Sequence, residues 1–455
     1  MNADLLIKNG NIAIRHPTSK SWKLEQLDIL IKDKKIIEIG SFSTNKACKT
    51  LDAKHLHISP GFIDTQVHFR TPGLDYKEGF KNGSLGAVLG GITSVLDMPN
   101  TKPSTTDEDS FNKKLLKIKN QSFCNYGLFL GATAKNAKHL KKMEQIKHCC
   151  GIKIFMGSST GDLLLHDDIY LNQVLQNGQK TIAIHAEDES RLQQRKTLIS
   201  QEELKVSDHP YLRDEQTALI ATKRIVDLAI KNKRSIHILH ISTKQELIFI
   251  KTVQKKYPNL ITLEATPQHL TLSSPDCYNK FGSYAQMNPP IREQKHQDAL
   301  WEAIKDNQIY IIGSDHAPHS LSEKNQKYPL SPAGIPGVQT SIALMLDAVN
   351  QKKMSFLKLV QLMSFNPSLR YNITNKGLIC KGFDADLSLV DLKKEQTITE
   401  DILVSLAPSP FINKKVKGWP IHSVVNGAVV VKDSQLVIKE PQGRALNFGY
   451  SFDSV

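Results

Sequence analysis

The chain has 455 residues, of which 40% are hydrophobic, and its 59 Lys and Arg outnumber 45 Asp and Glu to give a net charge of +14. That length fits an α/β barrel with an added module better than one ordinary compact domain. No apolar run is long enough to span a membrane, and the start "MNADLLIKNGNIAI" lacks the basic region and apolar core of a secretion signal.

The six cysteines (Cys48, Cys124, Cys149, Cys150, Cys277, Cys380) form no C-x-x-C pair. They are expected as buried thiols in a reducing cytoplasm. The positive charge suggests no nucleic-acid partner. Lysines are spread along the chain, and in "FNKKLLKIKN" and "KNAKHLKKMEQIK" apolar residues recur at helical spacing. Those segments are expected as amphipathic helices whose lysines face solvent. A mild attraction for small anions follows.

Residues 3–58 alternate short apolar stretches with Gly, Asn and Asp-Lys turns: "DLLIKNGNIAI", "LDILIKDKKIIEIG", "TLDAKHLHISP". This is the pattern of a small sheet. The end of the chain returns to it in "ADLSLVDL" and "IHSVVNGAVVVKDSQLVI". One composite β-sandwich domain, built from 1–58 and 373–455, is expected. Between them, residues 59–372 repeat a strand-then-helix rhythm. The candidate strands are "GFIDT", "GITSVLDM", "YGLFLGAT", "GIKIFM", "TIAIHAE", "SIHILHI", "ITLEATPQ" and "IYIIGSD". The clearest helix is "STKQELIFIKTVQKKY", where Thr243 and Glu246 form a capping box and Leu247, Ile250, Val253 and Tyr257 share a face. Eight strands interleaved with helices predict an α/β fold, a (β/α)₈ TIM barrel.

Function in such barrels sits at the C-terminal ends of the strands. Polar groups gather there: His68 after the first strand, His185 in "TIAIHAE", His240 in "SIHILHI", and Asp315 with His316 after "IYIIGS". Lys153 lies inside the apolar "GIKIFM", where an ordinary lysine is costly to bury. Singly, a strand-end histidine more often bonds to backbone than to metal, and a lone lysine can snorkel. Together, three imidazoles, a carboxylate and a misplaced lysine converge only in a closed barrel, and imidazole with carboxylate suits catalytic zinc. A lysine joins such a set if its amine takes up carbon dioxide as a carbamate. His237, His55, His57, His148, His166 and His209 are expected to be structural.

The motifs "PGFIDTQVHFRTPG", "MPNTKP", "GIKIFMGSSTG", "IHAED", "LHIST", "MNPPIRE", "GSDHAPH" and "GFDADLSLVD" span nearly the whole chain. Together they resemble the dihydroorotases of the amidohydrolase superfamily. The resemblance implies a zinc-dependent cyclic amide hydrolase of pyrimidine biosynthesis, interconverting N-carbamoyl-L-aspartate and (S)-dihydroorotate. It implies metal ligation by His68, carboxylated Lys153, His185, His240 and Asp315, with Asp315 also acting as general acid and base. Arg70, Asn100 and His319 match contacts to the substrate carboxylate, Asn288 a ring contact, and Ala333 and Gly334 the backbone that holds ring amides. Hydantoinases and allantoinases share the metal motifs, but neutral rings have no need of Arg70 with Asn100.

One departure stands out: Gln66 occupies the place of the family's first metal-binding histidine. Losing an imidazole weakens a metal site by at least the 10–100-fold typical of outer-shell losses. One Zn²⁺ bound firmly and a second weakly or not at all is therefore expected. The departure also raises a catalytically silent scaffold that binds aspartate transcarbamoylase. The outer helices offer faces for a homodimer. The loop "SLSEKNQKYPLSPAGIPG" is expected to act as a flap over the substrate.

Overall fold

The computed structural model describes residues 3–158, 163–197 and 204–449. Residues 159–161 of the "GIKIFMGSSTG" motif lie outside the described residues, as do both extremes of the expected composite domain. The eight expected strands all form: β1 (Phe62–Val67), β2 (Ile92–Asp97), β3 (Asn125–Gly131), β4 (Cys149–Phe155), β5 (Ile182–His185), β6 (Ile236–Ile238), β7 (Ile261–Ala265) and β8 (Ile309–Ile312). They pair in parallel in chain order. Just past β8 the ring closes on β1: Val67 bridges His316, and the His68 amide donates to the His316 carbonyl at 2.7 Å. The result is an α/β barrel. Apolar runs without alternation form these strands because helices cover the outside of the sheet.

Helix Lys244–Lys256 starts where its capping box predicts, with Thr243 and Glu246 bonded reciprocally and Leu247, Ile250 and Val253 buried. Two lysine-rich segments correct the sequence reading. Glu108–Ile118 is helical, but Lys114 is wholly buried on the same face as Phe111 and Ile118. Its ammonium pairs with buried Asp97 at 2.5 Å and donates to the Met98 carbonyl at 2.9 Å. The helix expected over 135–147 amounts to a 3₁₀ turn (Ala137–His139) and a single α turn (Leu140–Met143). Glu144 then turns inward to accept the Gln179 and Lys180 amides at 2.6 and 3.1 Å, which ends the helical run.

The chain's two ends build one nine-stranded mixed sheet from 3–60 and 387–436. Strand His57–Pro60 joins the halves, lying parallel to Ala3–Arg15 and antiparallel to Leu387–Thr397. Its hairpins turn where left-handed residues sit, at Asp33-Lys34 and Asn426-Gly427. Ile7, Ile29, Leu51, Ile58, Leu387 and Val424 share one apolar cluster, so both halves face a common core. Beyond the sheet the chain returns to the barrel. The Tyr126 amide donates to the Arg444 carbonyl and the Leu446 amide to that of Tyr126, at 2.9 and 2.8 Å. Leu446 and Phe448 pack with Ile63, Phe129, Cys150, Tyr371 and Ile373, filling the barrel's N-terminal mouth.

All six cysteines are free thiols, but the expected burial holds for four of them: Cys48 is exposed and Cys380 half-buried. Burial pushes Cys124 up to about 12 and Cys149 to about 11. Among the described residues no helix is long and apolar enough to cross a membrane.

Candidate active site at the strand ends

Of the residues singled out at the strand ends, His68, Lys153, His185, His240 and Asp315 meet in one cleft. Gln66, His68, Arg70, Lys153, His185, His240, Asn288, Asp315, Ala333 and Gly334 all line it, joined by Phe155 and Ala317. His316 lies outside it, its Nδ1 accepting the Gly337 and Val338 amides at 3.1 and 3.2 Å. Asn100 and His319 stand behind the lining, against His68 and Arg70.

Alternation along β1 puts Gln66 and His68 on the cleft side, while Val67 and Phe69 enter the outer core. Asp64 fixes the junction of β1 with β8, accepting the Gln66 amide at 3.1 Å and the Ser314 amide at 3.0 Å. Burial raises this carboxyl to about 6. Three residues of the cleft leave their strands in the left-handed region: Arg70 (φ 69°), His240 (φ 36°) and Asp315 (φ 44°). Such a backbone is uncommon for non-glycine residues, and it clusters at functional sites.

Hydrogen bonds assign the imidazole tautomers. Asn100 Oδ1 lies 2.6 Å from His68 Nδ1, which must donate to it. His68 Nε2 is then a lone pair, yet it faces Asp315 Oδ1 at 3.2 Å. Burial lowers the His68 pKa, so the ring is neutral and two acceptors confront one another. A second close nitrogen pair lies between β5 and β6. His185 Nε2 is 2.9 Å from the Glu187 carboxylate but without hydrogen-bond geometry. His185 Nδ1 is 3.1 Å from His240 Nε2, within hydrogen-bond reach. Burial alone would raise the Glu187 pKa, but Arg213 and His185 outweigh it and hold this carboxyl below the usual range.

Lys153 stands in the same cleft with 1% exposure. Among the described residues its Nζ has no hydrogen-bond partner, and it lies 4.5 Å from the centre of the Phe155 ring. Burial lowers the amine to about 7. Gln66 donates its amide nitrogen to Asp315 Oδ1 at 2.8 Å, and its Oε1 is buried without a partner.

On the other side of the cleft, Arg70 is buried, with Nε donating to the Pro318 carbonyl at 3.2 Å and Nη2 lying 3.3 Å from His319 Nε2. His319 Nε2 is 3.1 Å from the Ala333 carbonyl. Burial, then Arg70 and Lys77, lower its pKa, so this ring too is neutral. The next residue, Gly334, has φ 153°, and a Cβ there would lie 2.2 Å from the Ala317 carbonyl oxygen. Only glycine fits. Lys324, within the expected flap, is buried with its ammonium on the Pro332 and Gly334 carbonyls at 2.9 and 3.1 Å, tying that strap down.

The sequence reading missed several supporting groups. Glu187 with Arg213, Lys77 and Lys324 received no role. Glu187 was within reach, being two residues beyond His185 where an outer-shell carboxylate belongs. The others carry no sequence signal, since their partners are remote in the chain. His209, given no site role from the sequence, has Nε2 3.0 Å from Asn288 Oδ1 and from the Met287 carbonyl.

Residues 57–430 match the model of the amidohydrolase family. The chain is 34% identical over 413 residues to the dihydroorotase of Methanosphaera stadtmanae, covering 90% of this chain and 92% of that one. It is 35% identical over 421 residues to the dihydroorotase of Pyrococcus abyssi, covering 91% and 93%. Among solved structures, the L-hydantoinase (dihydropyrimidinase) of Arthrobacter aurescens superposes with a TM-score of 0.91 at 26% identity, over 98% of this chain and 100% of that one. A closed parallel barrel with ionisable side chains converging at its C-terminal rim, matched over this length, makes the chain a member of the amidohydrolase family. Within that family it belongs to the dihydroorotases, which are cyclic amide hydrolases.

Proposed function

We propose that the chain interconverts N-carbamoyl-L-aspartate and (S)-dihydroorotate, with one firmly held Zn²⁺ beside His185, His240 and the carbamate of Lys153. The observation that carries this reading is the pair of imidazole nitrogens 3.1 Å apart on β5 and just past β6, next to an amine with no partner among the described residues. Each neutral ring keeps one unprotonated nitrogen, a lone pair that a cation can take. A buried amine near pKa 7 is about half free base at neutral pH, the form that attacks carbon dioxide. The reaction joins amine nitrogen to carbon, releases one proton and turns an unpaired base into an anionic ligand. His68 Nε2 and Asp315 Oδ1 face one another as lone pairs, and Gln66 stands where a third ligand atom is needed. A neutral amide supports that second position weakly, so one metal per chain is expected. Bound zinc supplies a Lewis acid for the amide carbonyl and brings a water's pKa to about 7.

The chain's own residues do the rest. Arg70 and His319 hold the ring carboxylate, with Asn100 beside His68 completing that side. Asn288 and the Ala333–Gly334 backbone orient the ring. Asp315 takes the proton from the attacking water and passes it to the departing ring nitrogen; in the biosynthetic direction it runs the reverse. The hydantoinase-like fold raises a neutral cyclic amide as substrate, but a buried guanidinium beside an imidazole favours an anionic ring. A ring-closure assay on N-carbamoyl-L-aspartate, with and without zinc, tests the proposal. Turnover on hydantoin alone would point to the neutral-ring reading. No turnover on any ring, with stable binding of aspartate transcarbamoylase, would point to a silent scaffold.

A further inference from the structure

We propose that Lys77 is a positioning residue: it fixes His319 as the tautomer protonated at Nε2, and so sets the cleft's preference for an anionic ring. This rests on the substrate proposed above. Lys77 Nζ lies 2.9 Å from His319 Nδ1 and 2.8 Å from Glu323 Oε1. An ammonium offers donors and no acceptor, so the ring must accept at Nδ1. A neutral imidazole carries one proton, which leaves it on Nε2.

Two consequences follow at the cleft. His319 Nε2–H points at the Ala333 carbonyl, 3.1 Å away, a donor facing an acceptor. Arg70 Nη2, 3.3 Å from the same nitrogen, finds no lone pair there. Among the described residues only its Nε is taken, by the Pro318 carbonyl. The outer guanidinium N–H groups thus remain donors for an incoming carboxylate, and the imidazole turns an N–H rather than a lone pair toward it.

The other tautomer inverts this pattern. Its Nδ1–H would turn toward Glu323 Oε2, 3.8 Å away. Its Nε2 lone pair would oppose the Ala333 carbonyl, absorb an Arg70 donor and repel a carboxylate. Lys77 decides between the two states. Glu323 holds Lys77 in place and is itself fixed by the Ser320 amide and hydroxyl, each at 2.9 Å. Lys77 reaches the ring from a 3₁₀ turn, Asp75–Lys77, that follows β1.

The test pairs a spectroscopic and a kinetic measurement on the full-length, metal-loaded protein. In histidine-¹⁵N-labelled protein, with His319 assigned by its loss in His319→Gln, its Nε2 should show the protonated shift and Nδ1 the unprotonated one. Lys77→Met should exchange them, and Lys77→Arg should keep them. A protonated Nδ1 in the parent protein overturns the inference whatever the substrate proves to be. Kinetically, Lys77→Met should raise KM for dihydroorotate about 10–100-fold, as for loss of a charge-assisted hydrogen bond, more than it lowers kcat. Lys77→Arg should restore most of it. Glutamine at 319 presents an amide donor whatever stands at 77, so Lys77→Met should have no further effect on KM in a His319→Gln background. An equal effect in both backgrounds overturns the proposal. Absence of dihydroorotate turnover by the parent protein would count against the proposed function, while the nitrogen shifts still decide the tautomer.

Discussion

Replacing Lys114 by methionine probes the buried ion pair at the end of β2. Lys114 and Asp97 are both fully buried and 2.5 Å apart, and Asp97 Oδ1 also accepts the Phe69 amide at 2.8 Å. Methionine fills most of the space of the lysine stem, so the packing loss stays under roughly 1.5 kcal/mol. The larger effect is a carboxylate left without its counter-charge in a dry interior, which costs about 3–5 kcal/mol. Replacing both partners, Lys114→Met with Asp97→Asn, removes the stranded charge and keeps an acceptor for the Phe69 amide. It should recover more than half of the loss. Urea unfolding followed by circular dichroism measures both variants through their midpoints and slopes. A single variant within about 1 kcal/mol of the parent, the size of an exposed pair, would refute the reasoning. So would a double variant as unstable as the single one. Because Phe69 lies between His68 and Arg70, the single variant should also bind substrate less tightly.

The remaining expectations concern the cleft. Gln66→His should raise tightly held zinc from one to two per chain, counted by elemental analysis after dialysis; two zincs in the parent would contradict the role given to the amide. Gly334→Ala should displace the strap from Ala317 and raise KM at least about tenfold, as a lost, well-positioned hydrogen bond does, with an unchanged circular dichroism spectrum. The Lys153 amine sits near 7 because burial penalises its charge, and only the free base reacts with carbon dioxide. Metal-free protein given zinc under the same partial pressure of carbon dioxide should therefore regain activity faster at about pH 8 than at about pH 6. Equal rates at the two values would argue against carbamate formation.

The barrel was legible because each strand is a short apolar run closed by a polar residue, a pattern that survives without knowledge of neighbours. The convergence of Lys153, His185, His240 and Asp315 followed from the strand order alone. Lys114 was misread because its spacing is that of Phe111 and Ile118, and nothing local reveals that a carboxylate waits 17 positions earlier at Asp97. The segment 135–147 has helical periodicity, but Glu144 is drawn into remote backbone amides, and tertiary bonding overrides the pattern. Strand β6 is shorter than "SIHILHI" suggests, since His240 turns out of the sheet in the left-handed region. Lys77 and Lys324 were invisible for a related reason: each acts on atoms that only the closed barrel brings within reach.

The residues that stop the barrel's N-terminal mouth, Leu446 and Phe448, leave the ribosome after every stave they seal. The strands that complete the companion sheet also emerge late, hundreds of positions after their partner at 57–60. A nascent chain therefore keeps an open, apolar barrel end until residues 446–448 have been made and can dock against it.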